Sequence, residues 1–408
     1  MNILFITQYY PPETGAAPER ACEFVRFFKR KGHAVQVITA LPNHPAGVVQ
    51  ERYRGMVVCR EKHMGADVIR TYVYASPGKT PTSRLVNHLS FAFCALLGLL
   101  FVKRPDVILL TMPPLFLGAT GLAFKLLMRR PLILDVRDLW PQAAVDLGEM
   151  KESFLTRALT RLELFFYGKS DRVTVVTRGI LKSLISRKVP EWKVNLVTNG
   201  VNTDVFDLAE RGPNPYESLG LAGKFIIVYA GVIGVQHGTA FVARAASLLS
   251  GQRDIAFVFI GEGVKKRELK TEAERLGLDN IHFISDQPVE ALARFLGHSH
   301  AGLATLRDLP FCDGVILVKM FCYMACSLPV VLAGRGESKG ILDEAEAGVC
   351  VEPEDPARLA EAVTTLYNDR ELGRRLGAHG RRYVEERYSR RLSADKMEEV
   401  INEAVRPR

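Results

Sequence analysis

The chain has 408 residues, 48% hydrophobic and 24% charged, which is room for two ordinary domains and excludes collagen-like, wholly disordered and disulfide-scaffold proteins. Its seven cysteines are odd in number and form no Cys-x-x-Cys pair, which argues against a disulfide framework, a zinc ribbon or a thioredoxin-like site and fits a reducing cytoplasm. The net charge of +9 is uneven: residues 1–200 carry 28 basic and 15 acidic side chains, whereas residues 201–408 carry 26 and 30. One half is therefore suited to an anionic partner such as a membrane surface or a phosphorylated substrate; without a zinc-finger, KH or RRM pattern, nucleic acid is not expected.

The first residues, Met1-Asn2-Ile3-Leu4-Phe5-Ile6-Thr7, lack the basic n-region of a signal peptide and read as a buried strand. Further β-rich runs follow at 34–39, 106–111, 131–136, 172–177 and 193–198, with a hairpin insertion at 56–60 and 67–74. Helical patterns intervene at 19–31, 83–102, 115–127, 154–167 and 179–187, the alternation of a parallel sheet wound with helices. Residues 85–102 contain no charge and are bracketed by Arg84 and by Lys103-Arg104; a core helix, a helix in the membrane interface and a true span are all compatible with that composition. Turn chemistry at 199–224 marks a linker, and a second alternating series has strands at 225–230, 256–260, 280–284, 301–305, 329–333 and 349–351, then a helical tail from 356 to 405. The expected fold is α/β, with two doubly wound Rossmann-like domains facing a cleft: 1–198, then 225–385, with a last helix at 386–408 that is free to cross back to the first.

Ligands in such sheets bind beyond the carboxyl ends of strands, so the loops there are searched first. The loop after the first strand has one glycine, Gly15, where a dinucleotide fingerprint needs three; Gly15 either lets a phosphate approach or serves only a positive φ. The second half opens with glycines around Gly231 and the neutral polar pair Gln236-His237, followed by Gly261-Glu262-Gly263. Farther on, Lys319 precedes Cys322 on a helix, and Gly336-Glu337-Ser338 opens another, a pyrophosphate cradle or simply a dipole-favoured first turn. His298-x-His300, Cys322-x-x-x-Cys326 and Asp135-x-x-Asp138 lack complete ligand sets, so no metal is expected.

The chain resembles the GT-B glycosyltransferases of family 4, and among them the membrane-associated enzymes of bacterial surface-polysaccharide assembly such as the N-acetylfucosamine transferases of O-antigen synthesis. The resemblance is carried by Tyr-Pro-Pro-Glu-Thr-Gly-Ala-Ala, by Pro42-Asn43, Leu89-Ser90-Phe91-Ala92, Arg137-Asp138-Leu139-Trp140-Pro141, Asn199-Gly200-Val201-Asn202, Gly261-Glu262-Gly263 and Lys319-x-x-Cys322-Tyr323-Met324-Ala325. It implies retaining, metal- and cofactor-independent transfer of an N-acetylated hexosamine or deoxyhexosamine. The donor is a UDP-sugar and the acceptor is polyprenyl-diphosphate-linked, with the enzyme peripherally bound at the cytoplasmic membrane face. Its donor contacts fall on Gly15, Gly231, Gln236, Glu262, Lys319, Cys322, Gly336, Glu337 and Ser338; Arg137 and Asp138 fall on the loop facing the transferred sugar and are the catalytic candidates. The chain departs from the family at Gly314 and Cys322, where two glutamates are usual, and at Leu317-Val318 and Ser327. A UDP-sugar 2-epimerase of the same fold and an inactive nucleotide-sugar-binding homologue are the alternatives.

Overall fold

A computed structural model describes residues 1–44, 46–78, 80–206 and 212–406. They form two compact units, one of residues 1–199 with 390–408 and one of residues 200–389.

The first unit is built on an eight-stranded sheet in the order β3-β4-β2-β1-β5-β6-β7-β8. Its strands are β1 (Asn2–Ile6), β2 (Ala34–Ala40), β3 (Val58–His63), β4 (Ala66–Thr71), β5 (Val107–Met112), β6 (Leu132–Val136), β7 (Arg172–Val175) and β8 (Val194–Leu196). Only β3 runs antiparallel; β4 pairs in parallel with β2, so the expected hairpin insertion extends the sheet. The central strands are buried on both faces, which is why they read as continuous apolar runs. The helices are α1 (Ala16–Arg30), α2 (Pro81–Cys94), α3 (Leu117–Met128), α4 (Gln142–Asp146), α5 (Phe154–Lys169) and α6 (Arg178–Ser186). α1 starts three residues earlier than its periodicity suggests, with Gly15 as N-cap.

The uncharged segment resolves into α2 and a 3-10 turn over Ala95–Leu100. Thr80 caps α2 by accepting from Ser83 N, with Pro81 in the first turn. One side packs into the sheet through Phe91, Ala92, Ala95 and Gly98, and a Cβ at Gly98 would lie 2.4 Å from Ile38 Cδ1. Yet only 22% of the window is buried, although it is long and apolar enough to cross a membrane. It is therefore a half-buried element of the first unit, with Asn87 tied to Gln8, Asn43 and Tyr74.

The second unit holds six parallel strands in the order β11-β10-β9-β12-β13-β14: β9 (Phe225–Ala230), β10 (Ile255–Ile260), β11 (Ile281–Ile284), β12 (Ala301–Thr305), β13 (Val330–Ala333) and β14 (Gly348–Val351). Around it lie α7 (Ala240–Leu248), α8 (Lys266–Arg275), α9 (Val289–Gly297), α10 (Val318–Ala325), α11 (Gly336–Ala345), α12 (Pro356–Asn368) and α13 (Arg370–Arg387). Residues 207–211 of the expected linker lie outside the described residues; its flanks pack into this unit through Phe206, Tyr216 and Leu221. The helical tail expected over 356–405 is three helices, broken where Asp369 caps α13 and again before α14 (Arg390–Val405), which belongs to the first unit.

Candidate active site

The sequence candidates of the second unit gather at the carboxyl ends of its strands. β9 runs into Gly231, and β10 into Gly261, whose φ of +146° and closeness to the neighbouring loop both require glycine: a Cβ there would sit 2.2 Å from the Gly231 carbonyl oxygen. The two loops are stitched together by Gly231 N donating to Ile260 O (2.8 Å) and Ile233 N to Glu262 O (2.9 Å). A Cβ at Gly231 would face Lys319, 3.8 Å from its Cε.

Lys319 lies in the first turn of α10, with Nζ 3.4 Å from the centroid of the Tyr229 ring. That ammonium is buried and has no hydrogen-bond partner among the described residues. Burial pushes its pKa well below the ordinary lysine value, partly opposed by Cys322 one turn along the same helix face. His237 accepts from Gly234 N through Nδ1 (3.3 Å), and burial, with Lys319 close by, pushes its pKa down to about 2, so the ring is neutral. Three donors on an unpaired buried cation, seated against an aromatic face beside two glycine loops, form an arrangement suited to an anion.

The remaining candidates play different parts. Ser338 is fully buried; its hydroxyl donates to Val315 O (2.8 Å) and accepts from Leu317 N (3.2 Å), so it sets the start of α10. Gly336, at φ +65°, packs on the Asp313 backbone, where a Cβ would come within 2.2 Å of the carbonyl oxygen. Glu337 is half-buried in the first turn of α11. Glu262 is exposed and paired with Lys266 at 2.6 Å, while the half-exposed Gln236 offers its carbonyl to Arg307 N (3.0 Å). Cys322 is half-buried on the Lys319 side of the helix.

In the first unit, Gly15 caps α1 with open space where a Cβ would stand. Arg137 and Asp138 follow β6 directly, and Arg137 N donates to Met112 O (2.8 Å). Arg137 Nε is buried without a hydrogen-bond partner among the described residues. Desolvation lowers the Arg137 pKa, opposed by the charges of Asp135 and Asp138. Beneath them Arg20 of α1 makes a buried bidentate pair with Asp135 (3.1 and 3.2 Å) and donates to Val197 O and Thr198 O.

Several positioning groups were not singled out from sequence. Glu13 accepts from the backbone of Tyr10, Asn43 and His44, pinning the first loop to the one after β2. Tyr323 OH accepts from Ala230 N (2.7 Å) and donates to Leu303 O. Glu163 of α5, 1% exposed, accepts from Trp140 N and from Tyr167 OH, holding the 137–141 loop from below. Glu13 and Tyr323 stand inside motifs noted above, but only tertiary contacts reveal what they hold; Glu163 carries no sequence signal beyond being one acid in an apolar helix.

Two family models match in succession: Glycosyltransferase Family 4 over residues 19–205 and Glycosyl transferases group 1 over residues 217–383. The chain belongs to the family 4 glycosyltransferases. It is 27% identical over 380 residues to WcaI of Escherichia coli K12, named a colanic acid biosynthesis glycosyl transferase, covering 89% of this chain and 91% of that one. A sucrose-phosphate synthase from Thermosynechococcus elongatus superposes with a TM-score of 0.77 at 17% identity, covering 98% of each chain. Anabaena HepE, in complex with UDP-glucose, superposes at 0.73 with 14% identity, covering 99% of this chain and 100% of that one. At these identities the solved structures establish the GT-B fold, and the family matches establish a glycosyltransferase.

Proposed function

We propose that this family 4 enzyme transfers a sugar, an N-acetylated hexosamine or deoxyhexosamine, from a UDP donor to a polyprenyl-diphosphate-linked acceptor, with retention, in surface-polysaccharide biosynthesis. The second unit takes the donor and the basic first unit takes the acceptor at the cytoplasmic membrane face. The observation that carries the donor side is the buried, unpartnered Lys319 ammonium on the Tyr229 ring beside Gly231. HepE binding UDP-glucose and WcaI being named for colanic acid biosynthesis support the same reading.

As the bond between the anomeric carbon and the diphosphate breaks, negative charge grows on the leaving oxygens. A lysine fixed beforehand in a low-dielectric site stabilises that charge without reorganising. Lys319 needs no displacement of a protein partner to do so, and the side-chain-free Gly231 leaves open space beside it. The departing phosphate oxygen receives the acceptor hydroxyl proton as the new glycosidic bond forms on the same face, so no enzyme nucleophile enters. Arg137, with an unspent Nε, and Asp138 are assigned to the transferred sugar and acceptor.

Calorimetry of UDP binding to the wild type and to Lys319→Ala is the direct test. Loss of a charge-assisted hydrogen bond is worth about 1.5–3 kcal/mol, so affinity should fall roughly ten- to a hundredfold. Unchanged affinity removes Lys319 from the site. Product analysis with UDP-sugars and membranes separates transfer from epimerisation and from binding without turnover.

A further inference from the structure

The first unit leaves one helical layer uncovered. α2, α3 and α5 pack side by side on the same face of its sheet, their inner residues Phe91, Phe124 and Phe166 sharing one core. Thr120 of α3 donates to Ala92 O of α2 (2.6 Å), and Gly118 lets α3 lie against the Phe166 ring of α5. The outer side of a helix layer in water is ordinarily polar. Here it presents Phe93 (74% exposed), Leu100 (77%), Leu126 (74%), Leu127 (69%), Phe154 (77%) and Leu155 (61%).

Charge identifies what covers them. α2, the 3-10 turn that follows it and α3 contain no carboxylate, and the one on α5, Glu163, is 1% exposed. The exposed charged groups on and just beyond these helices are cations, Arg84, Lys103, Arg104, Arg129, Lys151, Arg157, Arg161 and Lys169, with Glu152 as the one exposed acid among the described residues there. A protein partner of ordinary surface would be matched by both signs, whereas large apolar side chains flanked by a large excess of Arg and Lys over acids match the acyl boundary and head groups of an anionic bilayer.

We propose that the outer face of α2, α3 and α5 is one membrane-docking surface, with its apolar side chains inserted at the acyl boundary and its cations on anionic head groups. The helices lie in the interface; 82–100 does not span, because its inner side is committed to the sheet. The inference rests on the acceptor side of the function proposed above, a lipid-linked substrate, and names the surface that would meet the lipid.

Flotation with phosphatidylcholine vesicles, with and without phosphatidylglycerol, tests it without any donor present, so the result is independent of the nucleotide site. Wild type should float with the phosphatidylglycerol vesicles at low salt and be released as salt rises. Combining Leu126→Glu and Leu127→Glu, or Phe154→Glu and Leu155→Glu, should lower partitioning by about tenfold or more, with melting temperature and UDP affinity unchanged. Leu248→Glu, equally exposed on the second unit (60%), should float as wild type does. The proposal is overturned if wild type stays unbound, if the α3 and α5 variants float normally, or if Leu248→Glu is as damaging. It is overturned too if those variants dissolve a concentration-dependent dimer while vesicle binding is absent, since a second copy would then cover the face.

Discussion

Cys322 stands where the family usually has a carboxylate, half-buried and one helical turn from Lys319. A thiol makes only weak hydrogen bonds, whereas a carboxylate accepts strongly from ribose hydroxyls and can pair with the neighbouring ammonium. Cys322→Glu should therefore fold, with a melting temperature within a few degrees of wild type, and bind UDP-sugars several-fold more tightly by calorimetry. A stable variant with no gain would place the ribose elsewhere. Glu163 gives a pH signature: burial raises its pKa from 4.5 to about 7, against the pull of Tyr167, Arg187 and Trp140 N. Between those two values the folded chain keeps a proton that the unfolded chain has released, so stability falls as pH rises through that window, by at most about 1.4 kcal/mol per pH unit from this group. Glu163→Gln, which keeps an acceptor for Trp140 N and Tyr167 OH, should match wild type near pH 4.5 and melt higher at pH 8. Calorimetric melts at both pH values check this, and equal melting at pH 8 refutes it.

Among the elements, the contact between α3 and α5 depends on one missing methyl group. A Cβ at Gly118 would lie 2.4 Å from the Phe166 ring, a fully committed core side chain that cannot move aside. Gly118→Ala should cost about 1–3 kcal/mol by overpacking, even though alanine is the better helix former. Urea unfolding monitored by circular dichroism measures it; a variant as stable as wild type would mean that the two helices can separate freely. α10 shows the complementary case, in which an element is placed by polar contacts. Ser338 of α11 fixes the Leu317 amide at its start, and the Tyr323 hydroxyl joins it to the end of β9 and the middle of β12. Lys319 is thus aimed by residues with no need to touch a ligand.

At the level of the whole molecule, the chain leaves the first unit at Asn199 and returns to it at Arg390. α14 lies on α1, burying Ala394, Met397, Val400 and Ile401 in the core that contains Phe24 and Phe28, while Arg390 pairs with Glu19 and Glu398 with His33. Removing residues 390–408 should therefore destabilise the first unit selectively. Limited proteolysis should cut within residues 1–199 well before 200–389, with UDP binding to the second unit retained. Simultaneous loss of both units would show that α14 supports more than the sheet it packs on.

Much of the fold was legible from local pattern. Buried parallel strands need unbroken apolar runs, and covering helices need a 3.6-residue stripe, so the order of strands and helices and the break near Asn199 stand in the sequence itself. The glycine loops were legible for a similar reason, because close approach of a backbone demands glycine, whereas Lys319 was singled out only through the family resemblance. What depends on partners distant in the chain was not: the hairpin expected as an insertion joins the sheet, because β4 pairs with β2. Ser338 sits in a motif that reads as a phosphate cradle yet spends its hydroxyl on Leu317 and Val315. The segment 85–102 had a composition compatible with core, interface or span. Only tertiary structure shows which of its sides is buried, because burial is a property of what packs against a helix, and here the sheet takes one side and leaves the other bare.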